Sequence, residues 1–221
     1  MDSVSQPVLK PHVAAFGAFV FFYCTDLILQ YLGEMFHTKK PDPYAFNRMR
    51  NYSLSVLHAL FSGTFSLIYL TVFHELLEDI ISAENESAYL VLGFSTGYFI
   101  HDIYHNYCSG ICLRSAEIII HHITVVTCFA VVITCRLLLP YALFGLLMEL
   151  NSIFLHGRQI MLYLNVNPNS LIYRMNANAN VGSFVVFRIF LTIGWTIGSS
   201  NRTSDARVIR CHSESPSFCQ F

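Results

Sequence analysis

The stretch AEIIIHHITVVTCFAVVITC, residues 116–135, holds twenty side chains, of which only Glu117 is charged when its histidines are neutral. A helix needs about 20 mostly apolar residues to cross the hydrocarbon of a bilayer, so this stretch reads as a spanning helix, Ala116–Cys135. Lipid cannot satisfy backbone N–H and C=O groups, and the alternating pattern of a barrel strand is absent, which leaves the helix as the spanning form. Outward from it, five more apolar runs follow the same logic: Val13–Leu32, Ser53–Phe73, Ala88–Cys108, Tyr141–Leu164 and Gly182–Ser199. The sequence predicts an all-α fold, a polytopic transmembrane helical bundle of about six spans.

Composition agrees. Hydrophobic residues make up 54% of the 221 positions and charged residues 12%, with a mean hydropathy of +0.49. A soluble domain carries about 25% charged residues. The net charge of −1 offers no field for nucleic acid or for a strongly acidic substrate. No A-x-A site follows a short apolar core near the start, so the first span is expected to be retained. The economical division is an N-terminal segment 1–12, one membrane domain 13–200, and a tail 201–221. That tail, with Cys211 and Cys219, has no apolar periodicity and reads as disordered, as in a truncated or alternatively spliced product. The other cysteines form no framework, although Cys108 and Cys112 flank a short loop in a placement open to palmitoylation.

Loop charge gives an orientation. The Gly33–Tyr52 loop carries Lys39, Lys40, Arg48 and Arg50, while the next loop carries Glu75, Glu78, Asp79, Glu84 and Glu86 with no Lys or Arg. The positive-inside rule makes the first cytoplasmic and the second external. Arg114, Arg158 and Arg174 then also fall inside, against Lys10 and Arg136 outside. Asn85-Glu86-Ser87 is an external glycosylation sequon, but its nearness to a span argues against its use.

Ionisable groups at membrane depth are costly unless paired or hydrated, so each is a functional candidate. The first half of the chain offers Asp26, His58, His101, Asp102 and His105; the second offers His121, His122, Glu149, Asn151, Ser152, His156 and Arg188. With alternating spans, six histidines and Arg188 fall in one layer, ~5–12 Å inside the cytoplasmic boundary at 1.5 Å rise per residue. His101 and His105 share a helix face with Asp102 about 100° round, and Glu149, Ser152 and His156 form one stripe. A carboxylate beside an imidazole fixes its tautomer and raises its basicity. A polar seam that merely joins helices is the plainer alternative; a hydrated cavity explains the shared depth better.

Three runs then resemble the TLC (TRAM–Lag–CLN) domain: Gly97-Tyr98-Phe99-Ile100-His101-Asp102, His121-His122-Ile123-Thr124-Val125-Val126, and Leu147-Met148-Glu149-Leu150-Asn151-Ser152. The stretch from Glu149 to Arg158 is similar to the branch of TLC-domain-containing proteins one and two. The resemblance covers about residues 40 to 197. It implies a role in phospholipid composition and membrane fluidity, limiting polyunsaturated acyl chains in phospholipids such as phosphatidylethanolamine. It implies the plasma membrane, with the endoplasmic reticulum as the alternative, and membrane phospholipids or acyl chains as partners. No cofactor, metal or nucleic acid is expected, and the sequence names no protein partner.

Ceramide synthases, the catalytic members of that family, share a His-His pair, matched here by His121-His122. Their His-Asp-x-x-Ser-Asp run has its nearest match in Glu149-Leu150-Asn151-Ser152-Ile153-Phe154, which lacks the His and both Asp residues. Ceramide synthesis is therefore disfavoured, while other acyl-lipid chemistry based on His121, His122 and Asp102 stays open. His101-Asp102-Ile103-Tyr104-His105 also fits the HxxxH box of di-iron desaturases and hydroxylases. Those enzymes use about eight histidines to hold two irons, and the HxxHH boxes are missing here. A lipid-binding scaffold that acts on acyltransferases by contact is the non-enzymatic alternative.

Overall fold

The computed structural model describes residues 6–36, 42–110 and 116–190, together with residues 193, 194 and 196. The tail 201–221, Lys39, Lys40, Cys112 and Arg114 lie outside the described residues, as does the end of the sixth expected span. Within them every regular element is helical: α1 Gln6–Phe36, α2 Pro43–Val72, the short α3 Glu75–Glu78, α4 Glu86–Cys108, α5 Ala116–Cys135, α6 Leu139–Leu147, α7 Glu149–Tyr163 and α8 Leu171–Ser183. The last runs on into a π-helical segment, Phe184–Phe190.

Local chemistry explains several starts. The Asp42 carboxylate accepts from the backbone N–H groups of Tyr44 and Ala45, and Pro43 opens α2 where no N–H is needed. Asn85 caps α4 by accepting from the N–H of Ala88 at 3.0 Å, so the carboxamide of the sequon is already engaged. Ser170 caps α8 through the N–H of Tyr173.

Four helical stretches are long and apolar enough to cross a membrane: Lys10–Phe36, Pro43–Val72, Ala116–Cys135 and Leu139–Tyr163. This is an integral membrane protein. The fourth stretch is α6 and α7 together, with the α-helix interrupted at Met148. At 23 residues α4 also has a spanning length, and its polarity has a structural reason. It packs against α1, α2, α5 and α6, and buries Thr96, His101, Asp102, His105 and Asn106 inside the bundle. A helix surrounded by protein need not be apolar.

Three starts differ from the sequence reading, the first being that of α1, at Gln6 and not Val13. The segment expected at Gly182 begins at Leu171, and α2 begins ten residues before Ser53. In both cases polar residues next to the apolar run are helical because the cap, not the hydropathy, sets the start.

The α1–α4 contact rests on glycine. A Cβ on Gly93 would strike the carbonyl of Pro11, and one on Gly97 would strike the carbonyl of Ala15 and come within 2.7 Å of the Ala18 methyl. This small-xxx-small spacing lets two backbones approach closely. At one end of the bundle Arg136 contacts Glu86 at 2.7 Å and Glu84 at 3.8 Å, and the N–H of Leu138 reaches the carbonyl of Ile81 at 2.8 Å. Those ties hold Arg136 and Leu138 in left-handed conformations, φ 56° and 63°. The acidic connection thus gathers at the end opposite the α1–α2 connection, as the alternating reading requires.

Candidate functional site

The N-terminal half of α2, the C-terminal half of α4, the start of α5 and the face of α7 enclose a cavity of about 310 Å³. The α7 stripe behaves as its spacing predicts: Glu149, Ser152 and His156 all line it. His121 and His122 enter from α5 and Asp102 from α4.

Asp102, 3% exposed, is the hub. His122 Nδ1 lies 2.8 Å from its Oδ2, Asn51 donates to its Oδ1 at 2.6 Å, and Asn106 donates to its Oδ2 at 3.0 Å. The imidazole is thus set by a carboxylate on a neighbouring helix, not by the adjacent residue in sequence. Nδ1 faces the carboxylate at ion-pair distance without the geometry of a hydrogen bond, and a carboxylate so close to an imidazole favours its protonated form. His121 stands beside it, ring centroids 5.6 Å apart, and His156 stacks on Tyr52 at 5.5 Å.

The six histidines do not share one cavity. His105 turns the other way, with Nδ1 3.0 Å from Asp26 of α1 and Nε2 3.3 Å from the carbonyl of Asn47. Arg50 Nε completes that cluster, 3.3 Å from Asp26. His101 sits on the same side, its ring against Phe19 at 6.0 Å and Phe22 at 6.3 Å. His58 is stacked on Tyr98 at 4.0 Å and 8°, so that Tyr98, which lines the cavity, screens it. Neither ring nitrogen of His58 or His101 meets a hydrogen-bond partner among the described residues. Asn151 also turns away. Its carboxamide donates to Asn180 and to Ser183 Oγ at 2.9 Å, joining α7 to α8. Arg188 does reach the cavity, from 17 residues into a helix that starts at Leu171, and so stands beside His121, His122 and His156.

The cavity also takes residues that the sequence reading does not single out: Arg48, Asn51 and Tyr52, which fall in its first loop, and Asn106. The signal existed, since Arg48, Tyr52 and Ser55 recur at spacings of four and three, and Asn106 follows Asp102 by four. Among the described residues no group of three or more His, Cys, Asp or Glu is arranged to hold a metal ion. The HxxxH box faces α1 while the His pair faces the cavity.

A family model described as the TLC domain matches residues 48–210, well over half of the chain. The chain belongs to the TLC domain family. Membership links it in general terms to membrane lipid biology. It is 36% identical over 149 residues to TLC domain-containing protein 2 of Danio rerio, covering 67% of this chain and 59% of that protein. It is 31% identical over 150 residues to TLC domain-containing protein 1 of Homo sapiens, covering 68% of this chain and 60% of that one. Against TLC domain-containing protein 1 of Mus musculus it is 31% identical over 173 residues, covering 78% of this chain and 69% of the relative. The chain thus aligns with about three-fifths of the first two relatives' length. No solved structure matches it. The cavity residues from Arg48 to Arg188 all lie inside the TLC match, whereas Asp26 and the rest of α1 precede it.

Proposed function

We propose that this protein regulates membrane phospholipid composition and fluidity, limiting the incorporation of polyunsaturated acyl chains into phospholipids such as phosphatidylethanolamine, with the plasma membrane as its place of action. The observation that carries the reading is the Asp102–His122 pair in the wall of a polar cavity, inside a TLC-domain bundle otherwise built for lipid. Such a cavity receives the polar end of an amphiphile. Its effect on fluidity follows from packing: multiple double bonds keep chains apart and reduce the dispersion between them. The test is paired lipidomics of cells with the gene deleted and restored, fed polyunsaturated fatty acid. Deletion raises polyunsaturated phosphatidylethanolamine with ceramides unchanged, and a form carrying His122→Ala or Asp102→Ala inserts but does not restore it. A selective fall in ceramide, with phospholipids unchanged, overturns the reading.

The same pair favours a second reading, a membrane acyl-lipid enzyme. An imidazole held by a buried carboxylate is the usual form of a general base for acyl transfer to a hydroxyl or amine. Acyl transfer by purified protein that disappears in His122→Ala, with folding intact, selects this reading over passive regulation.

A further inference from the structure

Two guanidiniums line the cavity with no carboxylate within ion-pair distance among the described residues: Arg48 from α2 and Arg188 from the π-helical segment. Arg50 and Arg136 show the contrast, being paired with Asp26 and with Glu86. Arg48 is positioned but not neutralised. It donates to the Tyr44 hydroxyl at 3.0 Å and lies over the rings of Tyr44 and Tyr52, 5.7 and 5.4 Å from their centroids. Arg188 has a Ser152 hydroxyl at 3.5 Å, the limit of a hydrogen bond.

Arg188 also stands in an apolar run, FVVFRIF. A cation at such a position is costly unless it meets water or an anion, and intramembrane charges therefore mark ligand paths. The backbone around it is π-helical, a rare form that is frequent at functional sites. Leu155 and Arg188 line both the cavity and a neighbouring groove of about 230 Å³, which Val181 and Phe184 continue. An apolar chain attached to a group held at Arg188 has a route there.

We propose, building on the lipid reading above, that Arg48 and Arg188 form a phosphate-binding subsite of the cavity, which takes a single-chain phospho-amphiphile with its acyl chain directed between α7 and α8. Guanidinium is suited to this ligand because its planar donors pair bidentately with phosphate oxygens. A cavity of about 310 Å³ is at the small end of the ~300–1,000 Å³ of ligand sites, enough for a headgroup and not for two acyl chains as well. The phosphate has two available sources, a lysophospholipid or an acyl-coenzyme A.

The test uses the full chain purified in a phosphate-free maltoside detergent, with three probes of one acyl chain: oleoyl-lysophosphatidylethanolamine, oleoyl-coenzyme A and monoolein. Binding is followed by native mass spectrometry or thermophoresis. At least one phosphate-bearing probe should bind about tenfold more tightly than monoolein, and Arg48→Gln and Arg188→Gln should each remove most of that advantage. Arg188→Lys should restore part of it, and Arg174→Gln, outside the cavity, should keep it all. Elution volume and thermal unfolding check that each variant is folded. An Arg-dependent advantage for the lysophospholipid assigns the phosphate to a membrane lipid; one confined to the coenzyme A probe assigns it to the acyl donor. Equal binding of all three probes, or an advantage that survives in the double variant Arg48→Gln, Arg188→Gln, overturns the subsite. Lipidomics that shows no cellular phenotype, with Arg-dependent binding intact, would reject the regulatory reading alone.

Discussion

Replacing Asp102 with alanine removes the acceptor of two asparagines and the ion-pair partner of His122 at once. His122 Nδ1, Asn51 Nδ2 and Asn106 Nδ2 all converge on this carboxylate, within 3.0 Å. Only Asn106 keeps another acceptor, the Asp102 carbonyl at 2.8 Å. Truncating one partner of a buried charged pair costs about 3–5 kcal/mol in soluble proteins. Polar pairs between transmembrane helices contribute less, about 0.6 kcal/mol on average, because the unfolded helices find other partners in the membrane. Two amide donors and one imidazole contact on one buried carboxylate place Asp102→Ala between these limits, at about 2–3 kcal/mol of lost stability. His122→Ala should cost about 1–2 kcal/mol, since Asp102 keeps both asparagines. The double variant should fall short of the sum by about 1 kcal/mol or more, because the two residues share one interaction. Unfolding of the four proteins in detergent, followed by helix content against denaturing surfactant, measures the cycle. Additivity within about 0.3 kcal/mol would mean that the pair is not coupled, and the role of Asp102 in setting His122 would have to be abandoned.

Other outcomes follow from the packing and the loops. Gly97→Ala should lower stability by about 1–3 kcal/mol, because its methyl meets the Ala15 carbonyl and the Ala18 methyl, whereas Gly145→Ala, with nothing within 4 Å, should be neutral or stabilising; thermal unfolding compares the two. With native cysteines replaced, a membrane-impermeant thiol reagent added outside intact cells should label Ser82→Cys and leave Lys40→Cys untouched, and the reverse pattern would invert the orientation. Outside the membrane, the Ser82 hydroxyl, then the backbone N–H groups of Ser82 and Ile81, hold the Asp79 carboxyl below its ordinary 3.8. A depressed carboxyl stabilises the folded loop above its unfolded pKa and loses that effect as pH falls through the folded value. Amide exchange at Ile81 and Ser82, corrected for intrinsic rate, should therefore accelerate in Asp79→Ala at pH 6 and converge with the unaltered protein once the pH has fallen through the lowered folded-state value.

The sequence by itself determined the class of solvent and the class of fold. Ala116–Cys135 has no stable place outside lipid or a fully buried core, and lipid admits a lone segment only as a helix. It also fixed whatever depends on position around one helix. Glu149, Ser152 and His156 face the cavity together, and Asp102 faces away from His101 and His105, because 3.6 residues per turn dictate both. The tertiary structure decided which helices meet and in what rotation, and so every pairing. Asp102 meets His122 of α5 and Asn51 of α2 besides Asn106 on its own helix, Asp26 of α1 claims His105 and Arg50, and Tyr98 closes His58 off from the cavity. The start of the last helix was likewise set by the Ser170 cap, with Leu171 eleven residues before the apolar run. Periodicity is a property of one helix, whereas register and rotation between helices are set by the fit of whole surfaces, here by the glycines that let α1 settle on α4.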